Sequence, residues 1–130
     1  MIAKKILVAD DETHILNVVS LKLRNAGFDV VTAADGEEAF ELAVSERPDL
    51  LITDYHMPQL SGLELCRKLK HDPVTAKIPA IMLTARGYEL DLKDTQDSGI
   101  LRMLSKPFSP RALLTTVNEV LLEAATAAAA

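Results

Sequence analysis

Five short apolar runs recur along the chain, separated by longer stretches in which apolar residues return with a helical period. The runs lie at residues 6–9, 29–33, 50–53, 80–83 and 101–105. Strands that are buried on both faces of a parallel sheet are continuously apolar, and runs of this length between helices are typical of them. The pattern therefore predicts five parallel strands.

The longer stretches predict amphipathic helices. In the first, one face carries Ile15, Leu16, Val19, Leu23 and Ala26, and Gly27 follows as a C-terminal stop signal. The second is predicted near residues 36–47, with Ala39, Phe40 and Ala43 facing inward and Pro48 after it, and the third near residues 62–71, before Asp72 and Pro73.

The last helix is predicted to begin at Ser109-Pro110, a capping residue followed by proline at the first helical position. Its apolar face comprises Leu113, Leu114, Val117, Val120, Leu121 and Ala124, and Leu122 lies outside that face. The segment at residues 88–97 offers only Tyr88 and Leu92 for burial, so we expect it to be mobile or to end early. Alternation of strands and helices predicts a doubly wound α/β sheet with helices on both faces.

Composition narrows the class of protein. The chain has 130 residues, of which 48% are hydrophobic and 25% charged, as expected for one globular domain. Its net charge is −5 and its basic residues are dispersed, which argues against direct nucleic-acid binding. Cys66 is the only cysteine, so neither an internal disulfide nor a cysteine-based zinc site can form. No signal peptide or membrane-length apolar run is visible, and we expect a soluble, cytoplasmic protein.

Polar residues follow four of the five predicted strands. The first run ends in Asp10, Asp11 and Glu12, the third in Asp54, the fourth in Thr84 and the fifth in Lys106. Ligands of open α/β sheets bind outside the carboxyl ends of the strands. Crowded carboxylates favour a hard divalent cation such as Mg²⁺, and an aspartate can act as a nucleophile toward phosphorus. Each residue alone is more typical of a helix cap, a turn or a solvated charge, and only their joint placement favours a functional site.

Four motifs carry a resemblance to a known family: KILVADDE at residues 5–12, DYHMPQLSG at 54–62, Thr84-Ala85 and Lys106-Pro107-Phe108. Over about residues 4–124 the chain resembles the receiver domains of two-component response regulators, in particular the single-domain, chemotaxis-regulator-like ones. The resemblance implies a flavodoxin-like five-stranded parallel sheet of order 2-1-3-4-5, in a receiver domain at residues 1–124. An alanine-rich tail at 125–130 either extends the last helix or frays.

The family's site residues transfer one by one. Asp54 would accept a phosphoryl group from a sensor histidine kinase or a phosphotransfer protein. Asp11, Asp54 and the backbone carbonyl of His56 would ligate Mg²⁺, with Asp10 acting through water. Lys106 would pair with a phosphoryl oxygen, Thr84 would sense it, and the Lys106–Pro107 bond would be cis.

Regulation is expected to be a conformational switch that controls a downstream protein, whose identity the sequence does not reveal. The chain would be no enzyme beyond catalysing its own phosphorylation and dephosphorylation, at a rate influenced by the residues at two variable positions, His56 and Arg86. Met103 stands where the family usually has an aromatic residue that moves behind the threonine. Residues 100–102 also depart from the family's small and acidic residues.

Two other functions are left open. The chain could be a receiver-like module that binds proteins independently of phosphate, which the departure at Met103 favours and the intact Asp54, Thr84 and Lys106 oppose. A hydrolase with an aspartate nucleophile would have a second aspartate two residues later, where this chain has His56. A Walker-type glycine loop, which nucleotide hydrolysis by that route would use, is missing from the sequence.

Overall fold

The computed structural model describes residues 3–84 and 98–129. Its strands are β1 (Lys5–Ala9), β2 (Asp29–Ala33), β3 (Leu50–Asp54), β4 (Ala80–Thr84) and β5 (Ile100–Ser105). Its helices are α1 (Thr13–Asn25), α2 (Gly36–Glu46), α3 (Gly62–Lys70) and α4 (Pro110–Ala129). The five predicted strands all form, each within one residue of its predicted bounds.

All strands are parallel and follow the order β2-β1-β3-β4-β5, which confirms the predicted topology. The order reverses between β1 and β3. From β1 the chain first adds β2 on one side, and it then adds β3, β4 and β5 on the other side. Ligands of doubly wound sheets bind at such a switch point. Residues that follow β1 and β3 are therefore the first place to look for chemistry.

Alternate residues of the central strands supply two separate hydrophobic cores, one on each face of the sheet. On one face, Leu7, Leu51 and Met82 pack with Ala39 and Ala43 of α2 and with Leu65, Cys66 and Leu69 of α3. On the other face, Ile6, Val8, Ile52 and Ile81 pack with Val19 and Leu23 of α1 and with Leu113, Val117 and Val120 of α4. Helices thus cover both faces, as predicted.

Two details correct the expectations from sequence, and a third expectation falls outside the described residues. The two edge strands are buried on both faces only in part, and Leu101 of β5 is 42% exposed, because no strand among the described residues covers their outer edges. Ala26 is exposed rather than buried because α1 ends at Asn25 and the chain turns at Gly27, whose φ is 97°. The predicted helical segment at 88–97 lies outside the described residues.

Side-chain caps define where the other helices begin. Asp35 accepts the backbone N–H of Glu38 at the start of α2, and Ser61 and Glu64 form a reciprocal capping box on α3. The hydroxyl of Ser109 accepts the backbone N–H of Ala112, which confirms the predicted start of α4. That helix continues to Ala129, so in the structure the alanine-rich segment extends it.

Candidate functional site

The parallel register brings four strand ends to one edge of the sheet. Ala9 of β1 is paired with Thr53 of β3, Asp54 with Leu83 of β4, and Thr84 with Ser105 of β5. The residues that follow each strand therefore emerge side by side. The predicted site residues Asp10, Asp54, Thr84 and Lys106 all belong to this edge.

Three carboxylates form a cluster there. Asp10, Asp11 and Asp54 each offer one oxygen atom, and these atoms lie within 4.8 Å of one another. Asp10 is completely buried and Asp54 is 5% exposed, whereas Asp11 is exposed. The cluster thus has two carboxylates withdrawn from solvent and one at its rim.

Lys106 faces this cluster with its ammonium group. Its Nζ lies 3.0 Å from Oδ2 of Asp10 and 3.3 Å from both Oδ1 of Asp54 and Oε1 of Glu12. Its backbone N–H donates to the carbonyl of Thr84 at 2.8 Å, which ties the end of β5 to the end of β4. The Lys106–Pro107 peptide bond is cis, as predicted.

Burial and neighbouring charges together set the pKa values of the site. It raises the pKa of Asp10 above the ordinary value of 3.8, although the Glu12 amide and the Lys106 ammonium act in the opposite direction. It also raises the pKa of Asp54, which the negative charge of Asp10 raises further against the attraction of Lys106. For Lys106, burial lowers the pKa, but bonding to Asp10 and Asp54 outweighs burial and leaves the pKa above 10.5. The carboxylates are therefore incompletely neutralised.

The donor set of the cluster fits a small, hard divalent cation. Its donors are carboxylate oxygens, which magnesium prefers over the nitrogen and sulfur ligands that zinc favours. Both oxygens of Asp10 already accept hydrogen bonds, Oδ1 from the Glu12 N–H at 2.9 Å and Oδ2 from Lys106 at 3.0 Å. Asp11 and Asp54 are thus better available as direct ligands, and the indirect role of Asp10 stays a prediction.

The loop after β3 is tightly connected to the site. The Thr53 hydroxyl donates to the carbonyl of Asp54 at 3.0 Å, and the N–H of Gly62 donates to the carbonyl of Tyr55 at 2.8 Å. A Cβ at Gly62 would overlap the carbonyl oxygen of Asp54 and lie 3.0 Å from Sδ of Met82. Only glycine therefore allows α3 to begin this close to the strand that carries Asp54.

The remaining predicted residues are placed with less detail. The side chain of His56 is exposed, and the ligand role of its carbonyl stays a prediction. Thr84 is 1% exposed at the end of β4. Met103 pairs in register with Met82 and is partly buried against the core beneath α2 and α3, so it lies inside the protein rather than in solvent. Arg86 lies outside the described residues.

Two contributions to the site were not predicted from sequence. One is the ion pair between Glu12 and Lys106. From the sequence alone, a glutamate in this position could equally be a solvated side chain. The other is the steric requirement for Gly62 beside Asp54. Its signal was present in the DYHMPQLSG motif, which ends on this glycine, but the contact that explains it needs the folded chain.

Comparison with known proteins decides the family. The sequence model of the response regulator receiver domain matches residues 6–118. This chain belongs to that family. The receiver domain of two-component signal transduction that the resemblance implied is therefore confirmed, and the phosphate-independent module is not favoured.

Relatives of this receiver domain include two curated regulators. The alkaline phosphatase synthesis transcriptional regulatory protein PhoP of Bacillus subtilis is 41% identical over 118 residues, which are 91% of this chain and 48% of that protein. The phosphate regulon transcriptional regulatory protein PhoB of Pseudomonas aeruginosa is 39% identical over 121 residues, or 93% of this chain and 53% of that protein. This chain spans about half the length of each.

Solved structures agree on the fold. The chemotaxis response regulator CheY4 of Vibrio cholerae superposes with a TM-score of 0.84 at 34% identity, covering 92% of this chain and 99% of that one. Within the described part of this receiver domain, no helix has the length and apolar character needed to cross a membrane.

Proposed function

We propose that Asp54 is the phosphoacceptor of this receiver domain. The observation that carries the proposal is the difference between the two buried carboxylates. Both oxygens of Asp10 are engaged by hydrogen bonds and its side chain is fully buried, whereas Asp54 has Lys106 close to Oδ1 and keeps 8% of its side chain exposed. Asp54 is therefore the buried carboxylate with an oxygen better available for attack on phosphorus.

The donor would be a phosphorylated histidine of a sensor kinase or a phosphotransfer protein. An oxygen of Asp54 forms a bond to phosphorus while the bond from phosphorus to the histidine nitrogen breaks, and the imidazole leaves with that electron pair. Lys106 lies 3.3 Å from Oδ1 of Asp54, so its ammonium can pair with an oxygen of the transferred group. A loose phosphoryl-transfer transition state asks mainly for positioning and charge neutralisation, which this residue supplies.

Mg²⁺ is the proposed cofactor, held by Asp11, Asp54 and the carbonyl of His56, with Asp10 acting through water. When bound, it supplies positive charge next to the incoming phosphoryl oxygens. The chain's own residues prepare for it by holding three carboxylates together in a partly desolvated edge. The domain would otherwise be no enzyme, catalysing only its own phosphorylation and dephosphorylation.

The response to phosphate would run through Thr84 and Lys106 together. A hydrogen bond from the Thr84 hydroxyl to a charged oxygen contributes about 1.5–3 kcal/mol, whereas moving a two-state equilibrium from 1:99 to 99:1 takes about 5.5 kcal/mol. Since the backbone of Lys106 donates to the carbonyl of Thr84 at 2.8 Å, both residues can move as one unit. Met103, partly buried on the next strand, would fill the space behind the threonine in place of an aromatic ring.

The output would pass through protein contacts, and we propose that these 130 residues do not bind nucleic acid directly, given their net charge of −5. The names of the relatives describe transcriptional regulators, and this chain spans about half of them. Regulation of transcription is therefore a proposal about a whole protein, not about this domain. A cytoplasmic location is proposed with it, because the phosphohistidine donor would have to be made where ATP is present.

The test is phosphorylation of the purified chain by acetyl phosphate with Mg²⁺, measured by intact mass. We expect one added phosphoryl group in the wild type and none in Asp54→Asn or with EDTA. Asp29→Asn, which removes an exposed carboxylate from the start of β2, is the matched control and should be phosphorylated normally. An unmodified wild type that also fails to bind beryllofluoride would refute the proposal and support the phosphate-independent module.

A further inference from the structure

We propose that Glu37 and Gln59 are positioning residues, which hold the loop at residues 55–61 in the conformation that the metal site requires. The inference rests on the proposed function, because that loop carries the His56 carbonyl. One polar atom of the Gln59 carboxamide lies 2.7 and 3.3 Å from Oε2 and Oε1 of Glu37. Since both carboxylate oxygens can only accept, this atom is assigned as the amide nitrogen, which then donates to Glu37. This contact joins the loop after β3 to the first turn of a different helix.

The first turn of α2 is a fixed support for this contact. Oδ1 of Asp35 accepts the N–H of Glu38 at 2.8 Å, and Oε1 of Glu38 accepts the N–H of Ala34 at 2.8 Å. These two bonds fix the backbone on both sides of the helix start. Glu37 therefore projects from a turn whose position is already determined.

The loop needs such a support because its backbone is strained at Gln59. The φ of this residue is 70°, in the left-handed region that residues other than glycine and asparagine rarely adopt. A glycine there would adopt the angle without strain but would have no side chain to reach α2. Gln59 therefore combines an unfavourable backbone conformation with a side chain long enough to bond to Glu37.

Two glycines show how closely the loop is enclosed. A Cβ at Gly36 would overlap the carbonyl oxygen of Leu60 and lie 2.6 Å from its Cβ, and a Cβ at Gly62 would overlap the carbonyl of Asp54. Leu60, the neighbour of Gln59, is thus packed against the start of α2, and the two ends of the loop meet where Gly62 lies against Asp54. Because the ends of the loop are held together, we expect a displacement at Gln59 to alter the part of the loop between them, which includes His56.

The consequence is a defined effect on metal affinity. If the Glu37–Gln59 bond is lost, we expect the loop to sample conformations in which the His56 carbonyl cannot serve as a ligand, and the affinity to fall with the fraction of competent conformations. A hydrogen bond to a charged but exposed acceptor limits the effect, and we expect Mg²⁺ binding to weaken about two- to tenfold.

The experiment is calorimetric titration of the full chain with MgCl₂, alongside thermal unfolding in EDTA. The variants are Glu37→Ala, Gln59→Ala and the double substitution. Glu41→Ala, one turn further along the exposed face of α2, is the matched control. Each single variant should bind Mg²⁺ about two- to tenfold more weakly, the double variant no more weakly than either single one, and the control like the wild type.

A purely structural role would lower the melting temperature of the variants and leave their Mg²⁺ affinity unchanged, which overturns the proposal. Glu37→Gln keeps an acceptor of the same size and should lie between wild type and Glu37→Ala, and full loss in it would also contradict a hydrogen-bonding role. If the wild type binds Mg²⁺ and the variants bind equally well, only this proposal fails. If the wild type does not bind Mg²⁺, the proposed metal site fails with it.

Discussion

Removing the buried charge of Asp54 should stabilise this domain when no divalent cation is present. Among the described residues, the cluster of three carboxylates and the nearby Glu12 share one ammonium group, that of Lys106, which leaves an excess of three negative charges at this edge of the sheet. Replacing Asp54 by asparagine would keep the shape of the side chain and remove the charge. We expect the free energy of unfolding of Asp54→Asn in EDTA at neutral pH to exceed that of the wild type.

The magnitude follows from three opposing effects on Asp54. At an effective dielectric constant of about 20, the buried carboxylate of Asp10, within 4.8 Å, repels it by at least about 3.5 kcal/mol, and Lys106 at 3.3 Å attracts it by about 5 kcal/mol. Asp11 is exposed, so water screens its repulsion more strongly. Burial and the repulsion by Asp10 together outweigh the attraction by Lys106, and the pKa of Asp54 is therefore raised. The net gain in the variant is therefore a small remainder, about 1 kcal/mol, or about 4 °C in melting temperature.

Magnesium should reverse the comparison. A ligand at about 100 times its Kd stabilises the folded state by about 2.7 kcal/mol, and the wild type would gain this while Asp54→Asn, lacking one ligand, would gain less. Asp11→Asn is the informative control. Its carboxylate is exposed, so its loss should leave stability in EDTA nearly unchanged but reduce the gain with Mg²⁺.

The pH dependence provides the refutation. Because the folded pKa of Asp54 is raised, its ionisation destabilises the fold above that pKa, and this penalty disappears as the pH falls toward the ordinary value of 3.8. The stability difference between wild type and Asp54→Asn in EDTA should therefore close over that interval. A variant that is less stable than the wild type in EDTA at pH 7 would show that Lys106 neutralises the site fully, contrary to this reasoning.

Three further substitutions test the packing and charge of the domain by thermal or urea unfolding. Lys106→Met should destabilise the metal-free protein by about 3 kcal/mol, since Asp10 and Asp54 lose their cation. Mg²⁺ should restore part of the lost stability, and an unchanged stability without Mg²⁺ would mean that the ion pairs contribute little. Gly62→Ala should lower the free energy of unfolding by more than about 2 kcal/mol, because the added Cβ overlaps the backbone of Asp54. Gly27→Ala, in open space at φ 97°, should lower it by only about 1 kcal/mol, and equal losses would contradict the steric argument. Leu113→Ala, fully buried against the sheet, should lose about 2–5 kcal/mol, against less than about 0.5 kcal/mol for Leu122→Ala, which is 69% exposed.

The strand order and the convergence of the site illustrate what one sequence can predict. The apolar runs and helix caps are local signals, and they located every strand within one residue. The polar residues at four strand ends predicted a shared edge because parallel strands bring their carboxyl ends together. The order 2-1-3-4-5, in contrast, came from the resemblance carried by the motifs around Asp54 and Lys106. Periodicity alone states which segments are strands and not which of them are neighbours.

What the sequence did not show depends on contacts between distant segments. Ala26 was placed on a buried face because the helical period continues through it, but the position of a helix end is a tertiary matter that periodicity does not contain. The same holds for the pairing of Glu12 with Lys106 and of Glu37 with Gln59, whose partners are 94 and 22 residues apart. Asp11 and Glu12 are indistinguishable as acidic residues after β1, yet one borders the carboxylate cluster and the other faces the lysine. Such placements determine which carboxylates are buried and which are exposed, so the balance of charge at the site is a property of the fold. The difference in stability between Asp54→Asn and Asp11→Asn would measure that balance directly.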